Sequence, residues 1–273
     1  QLWEWRKADY LSVNRLLKDL RDATVEMRLE STYLAKVADS SDAGIVTATL
    51  ATGAALQTHT VEVTRLASGV NLASTSAITL PGRDTSSLSS QVGLDAEATF
   101  TIKLLDPADD STVRSASFTV KPSGTIQEVV NAINNAALEI RASYDASHDR
   151  FFLTSERTGR PAYFRFEDPD GFLRDKLKLP LGGAVEVRQG TTAAINVDGA
   201  TDLLSDTNEV TVNNVTYHLH RASPGAQVTV TVRPDVDTVV SKIKSYVDKY
   251  NEVIAGIHAK LDEERFYEYP PLT

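Results

Sequence analysis

The chain has 273 residues, a formal net charge of −9, 41% hydrophobic and 24% charged residues, and no cysteine. These proportions fit a folded chain of two or three domains and exclude a disordered polyelectrolyte. A surplus of acid disfavours a general nucleic-acid binder, no apolar run nears the roughly 18 residues of a spanning helix, and without Cys there are no disulfides or thiolate chemistry.

The start, Gln1-Leu-Trp-Glu-Trp5, has neither an initiator Met nor the basic-then-apolar order of a signal peptide, so it reads as a cut fragment. From Tyr10 to Leu34 a seam recurs three and four apart: Tyr10, Val13, Leu17, Leu20, Thr24, Met27, Ser31 and Leu34. Charged residues such as Arg15, Lys18, Asp19 and Glu26 fill the other face, so the spacing predicts an amphipathic helix ending near Ala38. Asp39-Ser-Ser-Asp42-Ala-Gly44 then supplies the side-chain acceptors and glycine of a chain reversal.

The composition next shifts to Thr, Val, Ser and Ala in alternating runs. Strands are predicted at 60–64, 99–104, 116–120, 140–144, 150–154, 163–166, 208–219 and 227–233. One helix interrupts them at Thr125–Leu138, opened by the capping-box pattern Thr125-Ile-Gln-Glu128, with Ile126, Val129, Val130, Ile133 and Ala137 on one face. Turn chemistry marks loops at Pro81-Gly, Asp106-Pro, Glu167-Asp-Pro-Asp-Gly171 and Gly182-Gly183.

The last helix carries the strongest pattern. Val236, Val240, Ile243, Val247, Tyr250, Ile254, Ile257 and Leu261 alternate at spacings of four and three, every one apolar. Pro234 and Asp235 mark its start, and Tyr269-Pro270-Pro271 its expected end. Such a seam needs cover, so Val13, Leu17 and Leu20 with the eight C-terminal positions are the expected helical packing or subunit contacts, and Val247→Asp is expected to disrupt that packing. If helices from both ends form one bundle, everything between is an insertion. The expected fold class is therefore α+β and nested multi-domain, with terminal helices forming a helical leg and β-rich head domains inserted between them. The expected domains are a leg of 1–42 with 236–273, a β-rich head domain of 43–80 with 188–235, and a distal α+β head domain of 81–187.

Several segments, in order along the chain, resemble bacterial flagellar hook-associated protein 2, the filament-cap family. His59-Thr-Val-Glu-Val-Thr-Arg-Leu-Ala67 is similar to the family's strand ending in Val-Thr-x-Leu-Ala, and Thr125–Asn134 to its Thr-Leu…Ile-Asn helix. Arg150–Gly159, Ala194-Ile-Asn-Val-Asp-Gly199, Val215–Leu219, Val228–Asp235 and Tyr246-Val-Asp-Lys-Tyr-Asn251 continue the order. Tyr246 stands where the family commonly has Phe, and Trp3 and Trp5 give an unusual aromatic start. The resemblance implies a structural protein, longer at both ends, that is exported through the flagellar secretion apparatus to the extracellular tip of the flagellum. It implies a homo-oligomeric ring there that promotes flagellin folding and insertion, with flagellin and hook-filament junction proteins as partners. An adhesin binding host glycans through the distal β-rich domain is the alternative.

Chemical sites are weighed against plainer readings. His218 and His220, two apart on a strand, could join Asp198 or Asp202 on a metal, but read better as a strand face. Asp168-Pro-Asp-Gly171 lacks the later ligands of a calcium loop and reads as a turn. Tyr10, Tyr33, Tyr246 and Tyr250 fit seam packing, and Phe151, Phe152, Tyr163, Phe164 and Phe166 the distal sheet. With no Gly-x-Ser-x-Gly elbow and no phosphate cradle, the expectation is no enzyme, no catalytic residue, no cofactor, no metal, no nucleic-acid partner and no membrane insertion.

Overall fold

A computed structural model describes residues 2–263. Of these, 2–39, 52–57 and 231–263 form one compact unit, and 40–51 with 58–230 form the other. The fold is α+β.

The helical unit is built on α1 (Leu2–Arg28), the short α2 (Glu30–Tyr33) and α5 (Val236–Leu261). Helix α1 begins well before Tyr10 and stops at Arg28, short of the expected Ala38. The reason lies in its C-terminal carbonyls, which need partners that the helix itself does not supply. Thr32 Oγ1 donates to Glu26 O at 2.7 Å and the Tyr33 hydroxyl to Met27 O at 2.9 Å, turning the chain at Leu29. Residues 36–38, expected to be helical, belong instead to strand β1 (Lys36–Ser40). The predicted reversal follows at once: Asp42 Oδ1 accepts the Gly44 N–H at 2.9 Å before β2 (Val46–Leu50).

Helix α5 starts where Pro234-Asp235 predicts, with the Asp235 side chain accepting the Thr238 N–H at 2.9 Å. It ends at Leu261; the predicted stop at Tyr269-Pro270-Pro271 lies outside the described residues. α1 and α5 run antiparallel, Lys260 Nζ reaching Asp9 Oδ1 at 2.7 Å near one end of the pair.

The remaining elements are β3 (Thr58–Arg65), β4 (Asn71–Ala73), α3 (Leu88–Val92), β5 (Ala98–Leu105), β6 (Thr112–Val120), α4 (Ile126–Asn135), β7 (Ile140–Asp145) and β8 (Arg150–Ser155). After them come β9 (Tyr163–Glu167), a π-helical turn (Phe172–Lys176), β10 (Val185–Gln189), β11 (Ala193–Val197), β12 (Ala200–Ser205), β13 (Glu209–Val212), β14 (Val215–Leu219) and β15 (Val228–Pro234). They make four sheets with strand orders β1-β15-β3-β11-β12, β10-β9-β5-β6, β13-β14-β2 and β4-β8-β7.

The single strand expected over 208–219 is a hairpin. Asn213 and Asn214 take φ of 51° and 64°, the left-handed pair of a type I′ turn, and Val212 faces Val215 across it. The inward positions shift from even, Val210 and Val212, to odd, Val215, Tyr217 and Leu219, the parity change that a two-residue turn imposes.

One apolar core gathers residues from Val70 to Leu181. Phe100 stacks between Phe118 and Phe172, with ring centroids 4.8 and 5.8 Å away. α4 lies on this core through Ile126, Val129, Val130 and Ile133, and both hydrogen bonds of its capping box are present. Because β4 pairs with β8 and Val70, Leu72 and Ile78 join the same core, part of 43–80 packs with the distal residues.

Candidate functional site

The surface that sets this chain apart lies on the helical unit. Across α5 the least exposed positions are Val239, Tyr246, Lys249, Val253, Gly256 and Ile257, with Val253 buried at 3% exposure. This row faces α1: a Cβ on Gly256 would come within 2.7 Å of Leu16 Cδ1. On α1 the half-buried row is Val13, Leu16, Leu20, Ala23 and Met27.

The sequence-predicted seam is a different row, one residue or about 100° further round the helix. Val236, Val240, Ile243, Val247, Tyr250, Ile254 and Leu261 are 39% to 71% exposed, and only Ile257 of that set is half-buried. On α1, Val13 and Leu20 lie on the packed row while Leu17 is 46% exposed. The expectation that Val247→Asp would break the packing of these two helices meets a Val247 that stands on the exposed row. The physical cause is the limited cover that one helix gives. α1 packs on a mixed row, Val239, Tyr246, Lys249, Val253 and Gly256, and since one partner helix covers only part of the circumference, the fully apolar row beside it is left in water.

The candidate chemical groups do not converge. His218 Nε2 meets Thr49 Oγ1 at 3.0 Å and its Nδ1 meets Glu209 Oε1 at 3.2 Å, whereas His220 Nε2 meets Thr47 Oγ1 at 2.9 Å. Among the described residues no group of three His, Asp or Glu side chains could hold a metal ion. In the Asp168-Pro-Asp-Gly171 turn the carboxylates serve the backbone: Asp168 Oδ2 accepts the Arg174 N–H at 2.9 Å, and Asp170 Oδ2 the Thr99 N–H at 2.7 Å. Tyr10 and Tyr250 are exposed, Tyr246 is half-buried, and Tyr33 is tied to Met27. Phe151, Phe164 and Phe166 are core residues, with Phe152 and Tyr163 half-buried.

Sequence reasoning missed two polar anchors. Asp198, weighed as a metal ligand, instead holds the buried ring of His59, Oδ2 to Nδ1 at 2.6 Å, and accepts the Thr60 N–H at 2.8 Å. Burial pushes the Asp198 carboxyl up, but these hydrogen bonds outweigh it and hold it below the usual carboxylate range. The legible signal was Asp198-Gly199, a hairpin-turn pair. The second anchor is Asp149, which accepts from the Thr79 N–H and hydroxyl and from the Tyr144 hydroxyl, all within 2.7 to 2.8 Å. Tyr144 is five residues away across the β7–β8 hairpin, but Thr79 lies seventy residues off, and no local pattern announces that contact.

Taken together, these features define an α+β protein with helices from both sequence ends in one unit, a β-rich insertion, and an apolar helix row as its most distinctive surface. The chain belongs to the flagellar hook-associated protein 2 family: the description of that family's N-terminus matches residues 1–69 and that of its C-terminus residues 190–270. It is 29% identical over 296 residues to flagellar hook-associated protein 2 of Halalkalibacterium halodurans, covering 99% of this chain and 54% of that protein. Against the Thermotoga maritima protein of the same name the identity is 31% over 208 residues, 76% of this chain and 33% of that protein. The chain thus spans about half or less of these relatives. In fold it is similar to the D1-D2-D3 domains of the flagellar cap protein FliD from Escherichia coli, with a TM-score of 0.63 at 19% identity, covering 92% of this chain and 69% of that one. The D2-D3 domains of the same protein match 74% of this chain and 100% of theirs, at a TM-score of 0.53 and 20% identity.

Proposed function

We propose that this chain works as a structural part of a flagellar filament cap, at the extracellular flagellar tip after export through the flagellar secretion apparatus. In this reading it assembles with itself as a ring that promotes flagellin folding and insertion, and it meets flagellin and hook-filament junction proteins. The observation that carries the reading is the exposed apolar row of α5, in a chain of the cap family. A row of seven exposed apolar side chains is costly in water and gains most when a neighbouring helix or subunit covers it. The work of the protein is then contact, and bond chemistry has no part in it.

The reading keeps the three-part division of leg (1–42 with 236–273), β-rich head (43–80 with 188–235) and distal head (81–187), with Val70, Leu72 and Ile78 lending side chains to the distal core. Glycan adhesion through the distal β-rich domain is the alternative, and no particular contact favours it, Phe151, Phe164 and Phe166 being core residues.

The test places Ile243→Asp and Val247→Asp together in the whole protein and follows swimming motility and flagellin lost to the medium. The expected result is a folded, exported protein with short filaments and shed flagellin. Wild-type filament growth with both charges in place would overturn the role given to this row.

A further inference from the structure

The unit of 40–51 with 58–230 buries side chains in two places. One is the distal core from Val70 to Leu181; Val61, Val63, Ile195, Tyr217 and Val230 are buried outside it, in the β-rich head. The chain passes between these two bodies twice, at 66–70 between β3 and β4 and at 190–192 between β10 and β11. Two bodies joined only by a pair of crossings swivel unless something else holds them.

A loop of the distal body, residues 156–162, supplies that hold. The crossings are themselves paired, Ser68 N–H donating to Thr191 O at 2.9 Å and Thr191 N–H to Ser68 O at 3.0 Å. The loop closes on this pair: Gly159 N–H donates to Ser68 O at 3.1 Å, and Gly190 N–H to Ala162 O at 2.8 Å. It then reaches past the crossings to the turn between β12 and β13. Thr158 Oγ1 donates to Asp206 O at 2.6 Å, and Asp206 Oδ1 accepts the Arg160 backbone N–H at 2.9 Å. The Arg160 guanidinium adds Nε to Oδ1 at 3.2 Å and Nη2 to Oδ2 at 3.3 Å.

We propose that residues 156–162 are a strap that locks the distal head to the β-rich head at one angle, with Asp206 as its catch. The proposal concerns this chain by itself and stands or falls apart from the cap reading.

The close approach of backbone to backbone shows how the strap seats. Gly159 takes φ of 71°, and a Cβ there would lie 2.5 Å from Asp206 Cα and 2.6 Å from Asp206 O. A Cβ on Gly190 would come within 2.6 Å of Gly159 O. Strap, crossing and catch therefore meet at separations that only glycine permits. Burial pushes the Asp206 carboxyl up, but the hydrogen bonds from Arg160 outweigh it and hold it below the usual carboxylate range, so the catch is charged at neutral pH. An ion pair as exposed as this one adds little by itself. Its direction comes from the backbone donor and the close seating beside it. A locked pair of heads passes a push on one to the other, whereas a swivel absorbs it.

The native chain has no cysteine, so spin labels attach only where cysteine is introduced. Ala132→Cys on α4 and Thr201→Cys on β12, both exposed, put one label on each body, and double electron–electron resonance reads the distance between them. The parent is expected to give one narrow distribution. Asp206→Ala with Thr158→Val removes the catch and leaves the crossings intact, and the distribution is expected to become about twice as wide with unchanged far-UV circular dichroism. Gly159→Val, a wedge at the same contact, is expected to shift its mean. Arg160→Ala keeps the backbone donor and is expected to widen it less; as an exposed residue outside both cores, it decides the matter where another variant loses ellipticity. A parent that is already broad, or folded variants as narrow and as centred as the parent, would overturn the lock.

Discussion

The distal core and the helical unit handle the same kind of residue in opposite ways. In the core, Phe100, Ile102, Phe151, Phe164 and Phe172 are almost wholly hidden, and each apolar face of a strand or helix finds a matching layer. In the helical unit, α5 has a single buried side chain, Val253, while seven apolar side chains of the neighbouring row remain exposed. The core is complete within this chain. The helices cover one row against each other and leave the neighbouring apolar row of α5 exposed among the described residues.

That contrast can be broken or sharpened by substitution. The largest effect is expected from Phe100→Ala, which empties the centre of the aromatic stack and should cost about 3–5 kcal/mol in urea unfolding. A loss below about 1 kcal/mol would mean that the core collapses around the gap and is less well packed than described.

Next comes the pair Val253→Asp and Val247→Asp, one residue type placed on the two rows of one helix. Charge at the buried position should cost about 3 kcal/mol and much of the α5 helicity. At the exposed position the unassembled chain should change by under about 0.5 kcal/mol, its defect emerging only on assembly. Equal losses measured by circular dichroism melting would erase the distinction between the rows.

A smaller effect concerns acid. Burial raises the Asp149 carboxyl, but hydrogen bonds from Tyr144 and Thr79 outweigh it and leave it lowered. A carboxyl with a lowered folded pKa stabilises above its unfolded value, near 4, and loses that contribution as pH falls through the folded value. Asp149→Asn should therefore weaken the chain by about 1 kcal/mol at pH 7 and flatten the stability profile below about pH 4. An unchanged acid profile would remove Asp149 from the account.

The smallest effect is at Gly256. An added methyl meets only the flexible tip of Leu16, while alanine raises helix propensity by about 1 kcal/mol, so Gly256→Ala should stay within about 0.5 kcal/mol of the parent. Gly256→Leu should separate the helices, visible as lost cooperativity in thermal melting.

Much of this architecture was legible in residues. The capping box at Thr125, the N-cap at Asp235 and the alternating strands all depend on neighbours a few positions away, and local physics acts on them directly. What failed depended on distance or on phase. The end of α1 was misplaced because Thr32 and Tyr33 reach back to its carbonyls. The turn at Asn213-Asn214 leaves a one-residue slip in the alternation, from Val210 and Val212 to Val215, Tyr217 and Leu219, which a single strand over 208–219 passes over. The His59–Asp198 pair joins residues far apart in the chain, which no local pattern encodes.

By itself the sequence determined the α+β class, the two long helices, the inward faces of most strands and the family. Periodicity and caps are properties of a few adjacent residues, and they survive without knowledge of the fold. Only the tertiary structure decided which row of α5 is spent on α1 and which remains exposed. Periodicity shows that a helix is apolar over a wide arc, but the point of contact on that arc is set by close approach, here at Gly256 and Leu16.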